Sequence, residues 1–405
     1  MTADGRQPPD APGGVRQAED AVPGTPQPPK PGPGAPQAQD PDASAPQAQS
    51  PGPGAPQAQD PSAALVRAAE ANRGPSWFGW RSLGRRLITA SETWTLLALI
   101  IMMIFFTVRA PGTFLTLTNF SLIGQNSAPL LVMAVGQTFV ILTAGIDLSV
   151  GSVLVLTGVV TDLYCIHHGG TNASWAAIGV GTAAGLATGA GWGAMQGFLI
   201  AMGKIPPLIV TLAGFGAASG AAYLITGGAD FRTVPSRLAT TIGQDSVAGV
   251  PWLIVISFAV AIVYGLVLAY TRFGRYTYAI GSNPEAARRA GIRVGQHLIQ
   301  VYALSGLLSG VAGVLSLASF SSTTIAGHGT DNLTVITAVV LGGASLFGGR
   351  GSMLGTVIGL AIPAVLLNGL VIIGINEYWQ DVAIGLVLVA AVYLDQFRRR
   401  LRERA

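Results

Sequence analysis

The chain has 405 residues, half of them hydrophobic, a mean hydropathy of +0.51 and only 10% charged residues. A soluble domain carries about 25% charged residues, so the composition excludes an ordinary soluble globule and points to an integral membrane protein. The net charge of +4 does not imply nucleic acid, because the arginines flank apolar segments instead of sharing one soluble face.

Residues 1–75 are Pro, Gly, Ala, Gln and Asp with almost no large apolar group, and seventeen of the 25 prolines precede Trp77. PGPGAPQAQDP occurs at 31–41 and again at 51–61. Such a segment cannot bury enough apolar surface to offset chain entropy, so a disordered tail is expected. It lacks the charged start and apolar run of a signal peptide. A tether and a dispensable extension are the two readings of it.

Residues 76–405 read as one transmembrane domain. Charge-free runs cover 93–108, 110–146, 148–161, 163–203, 205–229, 246–271, 294–330, 332–349 and 351–376. Residues 378–394 close the series, interrupted by Asp381. A span needs roughly 20 apolar residues, so the expectation is an all-α polytopic membrane protein with about ten helices, the third and eighth least well defined. Arginines set orientation. Arg81, Arg85 and Arg86 precede the first run, five arginines lie in 272–293, and five more follow Asp395. Placing all three groups in the cytoplasm requires six helices before Arg272 and ten in total, with both termini cytoplasmic. Arg109 is the exception on the outer side.

The lysines, Lys30 and Lys204, sit in a proline tract and in Gly203-Lys204-Ile205. Neither belongs to a Walker A loop, which needs a Gly-rich turn ending in Lys and Ser/Thr. Any ATP-driven work would fall to another chain. Cys165 is the single cysteine, so no intrachain disulfide is possible. The four histidines show no metal-ligand spacing and no catalytic constellation is visible.

The arginine-rich segment 272–294 reads RFGRYTYAIGSNPEAARRAGIRV. Pro284 suits a first helical position with Asn283 as cap; alternatively Ser282 caps and Glu285 closes a capping box. Gly291 is a natural stop. A helix of about two turns, Pro284, Glu285, Ala286, Ala287, Arg288 and Arg289, is expected inside an otherwise irregular loop. Its place between two spans suits a partner that pushes from the cytoplasm.

This segment resembles the cytoplasmic loop of ABC sugar-importer permeases of the ribose type, in the branched-chain amino acid/ribose permease superfamily. MAVGQTFVILTAGIDLSVGSVLVLTG at 133–158, GFLIAMGKIPPLIVTLAGFGAASGAAYLITGG at 197–228 and TAVVLGGASLFGGRGSMLGTVIG at 337–359 agree with it. The similarity covers about 93–394 and leaves out the proline-rich tail. It implies a permease subunit in the cytoplasmic membrane, paired with a second permease subunit, homo- or heterodimeric. Two cytoplasmic ABC ATPase subunits would bind the ATP and Mg, and an extracytoplasmic sugar-binding protein would deliver the solute. The chain itself would hold no cofactor and would not be an enzyme. The ATPase contact maps by resemblance to Asn283–Gly291.

Asp147, in GIDLSVGS, is the lone charge between Arg109 and Asp162. An acid at membrane depth faces a cavity or a partner; it could accept from sugar hydroxyls or cap the helix that follows. Gly181, Gly185, Gly189, Gly193 and Gly197 form a helical stripe that allows close backbone approach, either within the subunit or at a dimer seam. Residues 140–152 and 339–352 are weakly alike, an apolar end followed by a Gly/Ser turn, as in repeated interrupted helices near a binding site. Neutral groups suit a polyol; the pathway candidates are Gln125, Asn126, Gln137, Gln196 and Asn368, along with Asp147. Another pentose or hexose, a nucleoside or a signalling sugar is an alternative solute. A stand-alone secondary transporter and a membrane scaffold are alternatives of other classes.

Overall fold

The structure, a computed structural model, describes residues 91–403. The proline-rich tail and Arg81, Arg85 and Arg86 lie outside the described residues, as do the side chains of the C-terminal arginines. Twelve α-helices carry the described chain: α1 Ser91–Arg109, α2 Leu117–Leu142, α3 Val150–His167, α4 Trp175–Ala201, α5 Pro207–Thr226, α6 Trp252–Tyr270, α7 Arg272–Ser282, α8 Pro284–Arg289, α9 Val294–Phe320, α10 Asp331–Leu341, α11 Met353–Ile372 and α12 Glu377–Glu403. Between α5 and α6 stand one helical turn, a π-helical stretch and a two-stranded hairpin of Ser246–Val247 and Val250–Pro251. Among the described residues α2, α3, α5, α6, α9 and α11 are long and apolar enough to cross a membrane, and Thr95–Arg109, Asp331–Leu341 and Tyr378–Tyr393 are shorter apolar helices.

Helix starts follow local chemistry. Thr116, Ser174 and Ser352 accept backbone N–H groups at the first turns of α2, α4 and α11, which satisfies donors that have no intrahelical partner. Pro207 opens α5, and Gly227, at φ 66°, ends it.

The buried centre is α2 and α3, with α9 packed against both. Apolar burial separates helices from water but not from lipid, so association in a bilayer depends on close packing. The glycines of α4 supply it. A Cβ at Gly181 would lie 2.8 Å from the Thr161 carbonyl of α3, and one at Gly197 would lie 2.7 Å from Ile299 Cα of α9. At Gly189 and at Gly306 each added Cβ would overlap the other's carbonyl. Gly185 and Gly193 are equally closed, by α3 and by Tyr302. The stripe is therefore filled by α3 and α9 of the same chain.

The weak repeat has a backbone counterpart. At the end of α2, Ala144 N–H reaches Ile141 O at 2.9 Å and Gly145 N–H reaches Val140 O at 3.0 Å. At the end of α10, Gly343 N–H reaches Val340 O at 2.9 Å and Ala344 N–H reaches Val339 O at 3.2 Å. Ala144 and Gly343 both take positive φ, 62° and 91°. Each helix thus stops with the same paired carbonyl cap, makes a polar turn, and resumes as α3 or α11.

Candidate functional site

The first turn, residues 143–149, is tied to four other elements. Asp147 is 2% exposed. Its Oδ1 accepts from Ser149 N–H at 2.9 Å and Ser149 Oγ at 2.7 Å, and its Oδ2 accepts from Ser305 Oγ of α9 at 2.9 Å. Gln196 of α4 donates from Nε2 to Ser149 Oγ at 2.9 Å. Thr211 of α5 reaches Ile146 O at 3.2 Å, and Asn332 of α10 donates to Leu148 O at 3.0 Å. The carboxylate is occupied by the turn and by α9.

The second turn, residues 342–352, lies against the first. Gly349 N–H donates to Leu142 O at 2.9 Å. The C-terminal end of α7 fits between them: a Cβ at Gly281 would overlap Leu142 O and stand 2.6 Å from Gly349 N. Tyr278 Oη donates to Gly351 O at 2.8 Å. Burial pushes the Tyr278 phenol up from its ordinary pKa, so it remains a donor.

Helix α8 follows α7 directly. Of the two caps weighed, Asn283 is the one used: its side chain accepts from Ala286 N–H at 2.9 Å, with Pro284 in the first helical position. Ala287 is buried with Ile280 and Val294, while Glu285, Ala286, Arg288 and Arg289 are exposed. Glu285 and Arg288 pair at 2.8 Å on the surface. Gly291, at φ 84°, follows the helix. The surface is a short, rigid, mixed-charge ridge.

The remaining pathway candidates are scattered. Gln137 of α2 is fully buried, and neither amide atom has a hydrogen-bond partner. Asn368 of α11 donates to Asn119 Oδ1 at 2.9 Å while its own Oδ1 is buried without a partner. Gln125 turns back to Ser121 on its own helix, and Asn126 is exposed. Tyr302 Oη is also buried and unpaired, and a Cβ at Gly145 would lie 2.5 Å from it. Unpaired buried polar atoms call for an explanation, such as a bound solute or water. A separate apolar cavity of about 350 Å³, lined by Ile100, Met103, Ile104, Thr107, Val108 and Leu115, offers a polyol no converging donors. Among the described residues no group of three His, Cys, Asp or Glu could hold a metal.

Three features escaped sequence reasoning. The arginines and glycines of 272–282 read as loop, yet they form α7, capped by Thr271. The helical spacing of Phe273, Thr277 and Ile280, which face inward together, was its signal. His328, isolated in sequence, contacts Asp331 Oδ2 at 2.7 Å and Ser316 Oγ at 2.8 Å, and a Cβ at Gly151 would lie 2.6 Å from its carbonyl. That segment thereby folds onto the start of α3. The third is the carboxylate of Asp162 in α3, fully buried with both oxygens unpaired.

Residues 119–392 match the family model described as branched-chain amino acid transport system / permease component. The chain is 39% identical over 320 residues to the ribose import permease protein of Escherichia coli K12, covering 77% of this chain and 97% of that one. It is 35% identical to the fructose import permease protein of Rhizobium meliloti, over 76% and 85% of the two chains. It is 34% identical to the D-allose transport system permease protein of Escherichia coli K12, over 75% and 90%. No solved structure matches. With its apolar helices, its paired interrupted segments and a family match across most of its length, this multi-pass membrane chain belongs to the family of branched-chain amino acid transport system permease components.

Proposed function

We propose that this chain is the membrane-spanning permease subunit of an ATP-driven ABC importer for a monosaccharide, ribose-like in class. The similarity to the ribose import permease over 97% of that protein's length carries the reading. The relatives named for fructose and D-allose keep the solute within small neutral polyols. Helices α1–α6 and α9–α12 are the ten spans, and α7 and α8 lie on the cytoplasmic face with both termini. The arginine distribution supports this orientation.

In this reading two ATPase subunits bind ATP and Mg and dock on Asn283–Gly291, an extracytoplasmic binding protein delivers the sugar, and a second permease subunit completes the pathway. Movement of α8 re-sets the two interrupted turns between outward- and inward-open arrangements. Gln137, Tyr302 and Asn368 provide unpaired neutral donors and acceptors for hydroxyl groups. Asp147 and Gln196 hold the turn, and Asn126 and Gln125 lie away from it. A stand-alone secondary transporter is the second reading, and the unpaired Asp162 carboxylate is the observation in its favour, since coupling-ion sites use buried acids. Uptake by reconstituted vesicles separates the two: the importer needs an added ATPase and binding protein, whereas the secondary transporter needs a proton gradient alone.

A further inference from the structure

Helix α7 touches both interrupted turns and continues into the exposed ridge of α8. Its contacts are backbone-close. Gly281 has no Cβ, which lets α7 reach Leu142 O at the end of α2. The same Leu142 O takes Gly349 N–H from the second turn. A Cβ at Gly348 would lie 2.8 Å from Gly281 O and 2.9 Å from Ala144 Cβ, so first turn, second turn and α7 meet at one point. About one turn earlier on α7, Tyr278 Oη donates to Gly351 O at 2.8 Å.

α7 is also fixed to α8 and α9. Ile280, Ala287 and Val294 form a small buried cluster, one residue from each helix. Thr277 Oγ1 and His297 Nε2 are 2.9 Å apart, and the Phe273 ring lies 4.6 Å from that imidazole. No loop of free residues separates α7 from α8, since Asn283 ends one and caps the other. A displacement of α8 therefore reaches α7 through the single extended residue Asn283 and the shared apolar cluster.

We infer that Tyr278 and Gly281 are positioning residues that carry movement of the α8 surface into both interrupted turns at once, Gly281 where the end of α2 meets Gly348 and Gly349, and Tyr278 at the start of α11. The inference rests on reading α8 as the ATPase-docking surface. It assigns the two contacts separable roles. Removing the Tyr278 hydroxyl frees Gly351 and the start of α11, while the Gly281 contact still holds Leu142, Gly348 and Gly349.

The test uses the complete complex in proteoliposomes. Ribose imported per ATP hydrolysed is compared for the native chain, Tyr278→Phe and Tyr276→Phe, an exposed tyrosine of the same helix. Tyr278→Phe should lower the ratio by about threefold or more, within the range of single-contact couplings, with unchanged complex assembly and thermal midpoint. Tyr276→Phe should match the native ratio. Amide exchange supplies a second readout. ATPase binding with nucleotide should change protection of both turns in the native complex, and in Tyr278→Phe the change should persist at residues 143–149 and be lost at residues 350–353. An unchanged ratio in Tyr278→Phe, an equal fall in Tyr276→Phe, or a native-like response at 350–353 in Tyr278→Phe would overturn the inference. A native complex that assembles but imports no ribose refutes the substrate reading instead, and the exchange comparison then decides this one.

Discussion

The Asp147 carboxylate accepts a hydrogen bond from Ser305 Oγ at 2.9 Å, joining the turn after α2 to the middle of α9. With Ser149 bonded to the other oxygen, the acid acts as a clasp at the point where the helix is interrupted. Hydrogen bonds to a charged group contribute about 1.5–3 kcal/mol each. Asp147→Ala should therefore lower stability in detergent by at least one such contribution and abolish most uptake. Asp147→Asn, which keeps an acceptor for Ser149 N–H, should lose less of both. Equal stability of the alanine variant and the native chain in a thermal unfolding series would show that the clasp carries no weight.

Gln137 presents the opposite case, an amide buried with nothing to bond. An orphaned polar group costs about 1–3 kcal/mol. Gln137→Leu should leave the thermal midpoint equal or higher, because an apolar group of similar size replaces the orphan. If the amide meets a sugar hydroxyl during transport, the same variant should slow uptake by about tenfold, the factor for one lost hydrogen bond of about 1.4 kcal/mol. Higher stability with native uptake would remove Gln137 from the pathway.

The glycine stripe of α4 gives a paired prediction. Gly189→Leu forces a side chain into the Gly306 carbonyl of α9, whereas Gly191, on the same helix, has open space around its missing Cβ. Overpacking costs about 1–3 kcal/mol where neighbours can shift, and two backbones in contact cannot shift easily. Gly189→Leu should lower the yield of folded protein sharply, and Gly191→Leu should not. Size-exclusion profiles of the two variants check this, and similar profiles would contradict the packing described for α4.

Glu285 is exposed on α8 and its partner Arg288 is equally exposed. A surface pair of this kind contributes about 0–1 kcal/mol, so Glu285→Arg should insert and fold normally. It reverses charge on the proposed docking ridge. Uptake should fall about tenfold or more while ATPase turnover no longer follows sugar supply. Native uptake by this variant would exclude Glu285 from the contact.

Much of this was legible in the chain because lipid imposes a coarse rule. Long charge-free runs mark the helices, and the capping set Asn283-Pro284 marks α8 from its own chemistry. What was not legible was which surfaces meet. Five glycines at a four-residue spacing announce close packing, but nothing local says whether α9 or another subunit fills the stripe. Asp147 reads as a helix cap or gate group ahead of a ligand, but its clasp to α9 shows only once Ser305, 158 residues away, is placed beside it. Helix α7 was hidden for a different reason. Its arginines and glycines lower its apolar content to that of a loop, and its stability comes from contacts with turns remote in sequence.

The central claim, that this chain is a sugar-importer permease without an ATPase of its own, is tested most directly by uptake of labelled ribose into proteoliposomes. The purified chain is reconstituted alone, with a cognate ATPase, and with the ATPase and the sugar-binding protein. The account predicts ATP-dependent accumulation only in the complete mixture, with no response to a proton gradient. Accumulation by the chain alone under a proton gradient, without ATPase or binding protein, would contradict it.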